Sequence, residues 1–98
     1  MTVIRRMIVQ GRVQGVGFRA FAEIEALKRG VEGWVRNRRD GSVEAVFAGE
    51  APEVADMIEV SRQGPSGARV TALHERDGDD EDIKLRAPGD VFSVLPTV

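Results

Sequence analysis

A glycine-rich stretch between two regular elements is the tightest constraint on this chain: Gly11-Arg12-Val13-Gln14-Gly15-Val16-Gly17-Phe18-Arg19. Before it, residues 3–9 are apolar on both faces (Val3, Met7 and Val9 against Ile4 and Ile8). That predicts an interior strand whose Arg5 and Arg6 must reach an edge or solvent. After it, Ala20, Phe21, Ile24 and Leu27 recur at helical spacing over 20–29, with Glu23, Glu25 and Lys28 outside and Gly30 as the stop. Glycines at 11, 15 and 17 let the connecting backbone bend sharply and approach a ligand. A glycine-rich turn between a strand and a helix N-terminus leaves several N–H groups free, which suits a phosphate or carboxylate. Arg19 falls in or just before the first helical turn, where the macrodipole is already positive, and the first acidic residue of the chain is Glu23. A bound anion would reconcile these features. A tight turn with a surface arginine is the other reading of the stretch taken alone.

The rest of the chain supplies two more units. Residues 31–38, with Trp34 and Val35, read as a second strand, and Asp40-Gly41 is a two-residue hairpin signal. Residues 42–47 return with Val43, Ala45 and Phe47 on one face. Pro52 suits the first turn of a second helix, whose inner face is Val54, Met57, Ile58 and Ser61. A fourth strand spans 69–75, with a bulge expected at Ala72-Leu73. The five acids of 77–82 read as a solvated turn, because the glycine and terminal glutamate of a calcium loop are missing. Residues 83–86 and 91–95 are short strand-like runs around Pro88-Gly89. The order β-α-β-β-α-β predicts an α+β, ferredoxin-like two-layer sandwich with an antiparallel sheet, in one domain over 1–98.

Composition excludes much chemistry. The absence of cysteine removes disulfides, thiolate nucleophiles and cysteine-ligated metals, and fits a reducing cytoplasm. No apolar run approaches the roughly 20 residues of a membrane span. Residues 1–39 carry nine basic and three acidic side chains, net +6, while residues 40–98 carry five basic and thirteen acidic, net −8. A small anion near the basic half is a more natural partner than nucleic acid, which usually meets a larger basic patch interleaved with aromatics. Gly15-Val16-Gly17-Phe18-Arg19-Ala20 satisfies a dinucleotide fingerprint, but the second strand runs into a hairpin and not into a ribose-binding acid. No Gly-Lys-Ser/Thr triplet of a P-loop exists, His74 has no partner, and no metal-ligand spacing is present. Arg19 and Asn37 remain as polar candidates, and neither titrates usefully. They suit a reaction needing orientation and charge stabilisation alone. Hydrolysis of a carboxylic–phosphoric anhydride is such a reaction, because its carboxylate leaving group has a pKa of about 4 and needs no general acid.

The segment Val9-Gln10-Gly11-Arg12-Val13-Gln14-Gly15-Val16-Gly17-Phe18-Arg19 resembles the first signature of the acylphosphatases. Gly33-Trp34-Val35-Arg36-Asn37-Arg38-Arg39-Asp40-Gly41-Ser42-Val43-Glu44, with Gly49 beyond it, resembles the second. The last strand, Phe92-Ser93-Val94-Leu95, matches loosely and lacks the tyrosine that many members carry. The resemblance implies a ferredoxin-like, cytosolic, metal-free and cofactor-free enzyme. Such an enzyme cleaves acyl phosphates to a carboxylate and inorganic phosphate. It further implies Arg19 as the catalytic, phosphate-binding arginine and Asn37 as the residue that positions the attacking water. The phosphate-binding loop would be Val13, Gln14, Gly15, Val16, Gly17 and Phe18.

Arg36 and Arg38 read as alternating or exposed hairpin arginines, and Trp34 as a packing residue. A non-catalytic binder of a small phosphate such as carbamoyl phosphate is a second reading. A nucleic-acid-binding domain is a third, weakened by the missing aromatic sheet motif and the negative net charge. A cytoplasmic monomer without membrane or nucleic-acid partners is the default expectation.

Overall fold

Each helix of this chain must bury one apolar face, and the sheet its neighbouring strands form is the surface available. In the computed structural model, which describes residues 1–98, the elements are β1 (Thr2–Arg12), α1 (Phe18–Lys28), β2 (Glu32–Asn37), β3 (Val43–Glu50), α2 (Ala51–Gln63), β4 (Arg69–Asp77), α3 (Asp80–Ile83) and β5 (Phe92–Val94). The sheet order is β4-β1-β3-β2-β5. β1 lies between β3 and β4, antiparallel to both, and β2 is antiparallel to β3. The crossovers through α1 and α2 therefore each join parallel strands with a third strand between them, which is the ferredoxin-like arrangement.

The buried core joins Met7 and Val9 of β1, Val35 of β2 and Val43, Ala45 and Phe47 of β3 to Val54, Met57 and Ile58 of α2. Burying a side chain such as Phe47 or Met57 contributes about 1.5–3 kcal/mol. Ser61 is also fully buried, and its hydroxyl donates to the Met57 carbonyl at 2.8 Å, which removes the penalty of an unpaired polar group.

The α1 face differs from the expected one. Ile24 and Leu27 are 54% and 53% exposed, and Ala20 also faces solvent. Phe18, Ala22 and Ala26, spaced by four, are buried instead. Small side chains let the helix backbone lie close to the sheet, while Phe18 fills the space beneath its N-terminus. Hydrophobicity alone favoured the larger residues; close approach selected the alanines.

The sheet is not wholly antiparallel. β5 pairs with β2 in parallel, Gly33 opposite Phe92 and Val35 opposite Val94. The pairing continues beyond β5, because Leu95 N–H donates to Val35 C=O and Val98 N–H to Asn37 C=O. Residues 83–86, expected to be extended, instead finish α3 and its turn. Asp79 caps that short helix, exchanging hydrogen bonds with Asp82, and the acidic side chains sit at its positive end. Trp34 Nε1 donates to the Asp82 carbonyl at 2.7 Å, which holds this segment against the outer face of the sheet. The bulge in β4 falls at Thr71, since Gln10 pairs with Ala72 but Gly11 with Val70. The β2–β3 turn leaves three residues between Arg38 and Ser42, closed by Gly41 N–H to Arg38 C=O.

Arg36 and Arg38 are not free hairpin arginines. With Arg6 they surround Glu44, which is only 2% exposed. Arg6 Nε reaches Glu44 Oε2 at 2.8 Å and Arg6 Nη2 shares that oxygen. Arg36 Nε and Arg38 Nη1 reach Oε1 at 2.8 and 3.0 Å. Arg36 also lies over the Trp34 ring, 4.7 Å from its centroid. Burial pushes the Glu44 carboxyl up, but the hydrogen bonds from Arg36 and Arg6 outweigh it and hold the carboxyl below the ordinary range.

Replacing Glu44 with glutamine keeps the shape and removes the charge. Glu44→Gln is expected to lower stability at neutral pH by about 2 kcal/mol, less than a fully buried pair because the arginines reach solvent. The folded carboxyl titrates below its unfolded value near 4.5, so its contribution is complete above that pH and vanishes as pH falls through the folded value. Urea denaturation between about pH 3 and pH 7 should show wild type and variant converging at the acid end. A gap of constant size would assign the loss to packing.

Candidate active site

The loop that joins β1 to α1 is nailed down at both ends. Val13 is 1% exposed and Phe18 is 2% exposed, and both belong to the core. Phe18 meets Phe21 edge to face at 5.7 Å between centroids. Between these anchors the backbone turns through Gly15 and Gly17, at φ 73° and 82°. A Cβ at either would meet no atom within 4 Å. The left-handed backbone, not crowding, therefore requires glycine at both. Gly17 is the N-cap of α1 and offers no side-chain cap, and the first turn holds no acidic residue.

Free donors follow from this shape. No backbone N–H in residues 13–20 donates to another backbone group; the first to do so is Phe21, to Gly17 C=O at 3.0 Å. Free N–H groups at the positive end of α1 have the chemistry that suits an anion. Arg19 lies in the first turn, half-buried, with no ion-pair partner in the protein. Asn37 lies at the end of β2, also half-buried. Both line a single cleft of about 360 Å³ together with Val13, Gln14, Gly15, Gly17 and Phe18. Val16 is the one expected loop residue whose side chain stays out of the cleft; it packs against the core beside Gly67.

Gln14 does more than extend the loop. Its side-chain amide donates to Arg38 C=O at 2.7 Å and to Ser42 C=O at 2.8 Å. Those carbonyls sit on the two legs of the hairpin that follows Asn37, so one amide ties the loop to the strand carrying the second polar residue. Asp40 tightens the same hairpin by accepting from Ser42 Oγ at 2.6 Å and Ser42 N–H at 2.9 Å. These bonds, the hydroxyl first, hold the exposed Asp40 carboxyl below its ordinary range.

Three lining residues were not expected from the sequence: Ala20, Glu23 and Val94. Glu23 could have been found, since it falls four residues after Arg19 and shares its side of the helix. Val94 could not, because only the parallel β5–β2 pairing brings it there. No group of three or more His, Asp or Glu side chains is disposed to hold a metal ion.

Comparison with known proteins decides what this arrangement belongs to. The acylphosphatase family model matches residues 5–87. The chain belongs to the acylphosphatase family. It is 60% identical to the acylphosphatase of Rhodopseudomonas palustris (strain BisB18), over 99% of this chain and 98% of that relative. The crystal structure of acylphosphatase from Bacillus subtilis superposes with a TM-score of 0.82 at 36% identity, covering 97% and 99% of the two chains. The acylphosphatase structure from Coxiella burnetii gives a TM-score of 0.84 at 30% identity, covering 96% and 93%. Acylphosphatases are hydrolases that act on phosphorus-containing acid anhydrides, and this chain is a hydrolase of that kind.

The Gln14 bridge makes a separable demand. Gln14→Ala should lower stability by about 1 kcal/mol, since both carbonyls keep another backbone donor. It should lower kcat on benzoyl phosphate by roughly tenfold or more, because the loop and Asn37 lose their common reference. Inorganic phosphate binding should change far less. Loss of phosphate affinity equal to the loss of kcat would place the effect in the loop alone.

Proposed function

We propose that this enzyme hydrolyses the carboxyl–phosphate bond by holding the phosphoryl group on the 13–18 backbone and Arg19 while Asn37 orients a water. One observation carries the reading: unpartnered N–H groups, an unpaired arginine and an asparagine share the wall of one cleft. The transferred phosphoryl group develops charge on oxygens that fixed donors stabilise without reorganising. Arg19 contributes a planar fork of donors suited to two phosphoryl oxygens. The Asn37 amide has an acceptor for a water proton and donors for the phosphoryl group, so it can aim the water without acting as a base.

In the reaction the water oxygen forms the new bond to phosphorus. The bond from phosphorus to the acyl oxygen breaks, and its electron pair leaves on the carboxylate. The water's surplus proton passes to a phosphate oxygen or to solvent. A carboxylate needs no proton in order to leave, which agrees with a cleft that lacks a histidine. The substrate is a small acyl phosphate and the products are a carboxylate and inorganic phosphate.

Substitutions at the two polar residues should separate in kinetics. Inorganic phosphate is expected to raise the Tm of wild type and to inhibit competitively, and Arg19→Gln should lose most of that shift. Arg19→Lys should remain badly impaired, because a point charge does not reproduce a bidentate fork. Asn37→Ala should lower kcat by on the order of 10² or more while phosphate Kd and Tm move little. Phosphate release from benzoyl phosphate, phosphate calorimetry and thermal melts on the three variants measure these. Normal turnover in a destabilised Asn37→Ala protein would remove Asn37 from the reaction.

A further inference from the structure

The cleft wall contains a carboxylate that the reaction does not use. Glu23 sits one turn beyond Arg19 on α1, is half-buried and has no ion-pair partner in the protein. The other acid of that helix is fully engaged: Glu25 meets Lys28 at 3.1 Å and Arg29 at 2.8 Å. An unpaired carboxylate is an unexpected wall for a site that takes an anion, since it opposes the attraction supplied by Arg19. Its placement explains what it can do. If the loop and Arg19 hold the phosphoryl group and Asn37 holds the water, the lining side chains left for the acyl group are Ala20, Glu23 and Val94. Val94 is 43% exposed and offers an apolar surface. Arg19 is neutralised by the phosphoryl group it binds, which leaves Glu23 as the one ionised group of the lining on the acyl side.

Resting on the reading of the site given above, we infer that Glu23 sets the substrate class. The cleft favours acyl phosphates whose acyl group is neutral or cationic and rejects those bearing a second carboxylate. Specificity of this kind comes from an unfavourable contact with the wrong substrate as much as from a favourable one with the right substrate. A second negative charge brought near Glu23 disfavours the bound substrate by an amount set by its distance and the local dielectric, which amounts to on the order of tenfold in kcat/KM.

A para-substituted series tests the inference: benzoyl phosphate, 4-carboxybenzoyl phosphate and 4-(trimethylammonio)benzoyl phosphate. For wild type, kcat/KM should fall by about tenfold for the carboxylated substrate, and the cationic one should equal or exceed benzoyl phosphate. Glu23→Gln should bring the three within about threefold of one another, with most of the change in KM. A second measurement needs no variant: raising KCl from about 0.05 to 0.5 M should compress the wild-type ranking, because the screening length falls to a few ångströms. Equal rates for all three substrates in wild type, or a ranking untouched by both salt and Glu23→Gln, would overturn this inference alone. Failure to hydrolyse any of the three would overturn the reading of the site beneath it.

Discussion

Unsatisfied backbone donors at the start of α1 are the constraint on which the rest of the molecule depends. A helix N-terminus leaves its first N–H groups without partners, and here neither a capping side chain nor an acidic residue answers them. The loop before it adds further free N–H groups, and the first turn itself carries a cation, Arg19. In a protein that only needed to fold, this would be an unfavourable junction. It persists because Val13 and Phe18 are locked into the core on either side and the glycines take up the left-handed backbone between them. The ordering free energy comes from apolar burial, and the polar groups are left free to meet a ligand.

The far wall of the cleft, where Asn37 lies, is held from a distance. Asn37 ends a strand whose position depends on three separate ties. Gln14 links its hairpin to the loop, the Glu44 cluster grips the flanking Arg36 and Arg38 from the opposite face of the sheet, and the C-terminal residues hydrogen-bond along its backbone. Side chains alternate across a strand, so the arginines on either side of Asn37 point away from the cleft and serve the sheet. The same alternation lets a strongly basic sequence segment present a neutral amide to the cleft.

Elements with a local signal were legible in the chain itself. The split order of strands and helices, the Gly30 stop, the proline near the start of α2 and its inner face all rest on contacts within a few residues. The α1 face was misread because Ile24 and Leu27 are the more hydrophobic residues, whereas the sheet required the small Ala22 and Ala26 against it. Residues 83–86 carried an apolar pattern too short to separate strand from turn, and the capping box at Asp79 decided it. Arg36 and Arg38 looked solvated because their partner's burial is set by strand pairing, eight and six residues away.

By itself the sequence determined the free-donor loop, the cation at the wrong end of a helix, the absence of thiol chemistry, and two motifs resembling one family. Each of these is a property of neighbouring residues, and neighbours obey the local geometry of turns and helix ends. Tertiary structure alone decided that Arg19 and Asn37 line one cleft, that Glu23 and Val94 join them, and that β5 pairs in parallel with β2. Strand partners and helix orientations are chosen by the packing of the whole core, where close approach and burial outweigh the preference of any single segment.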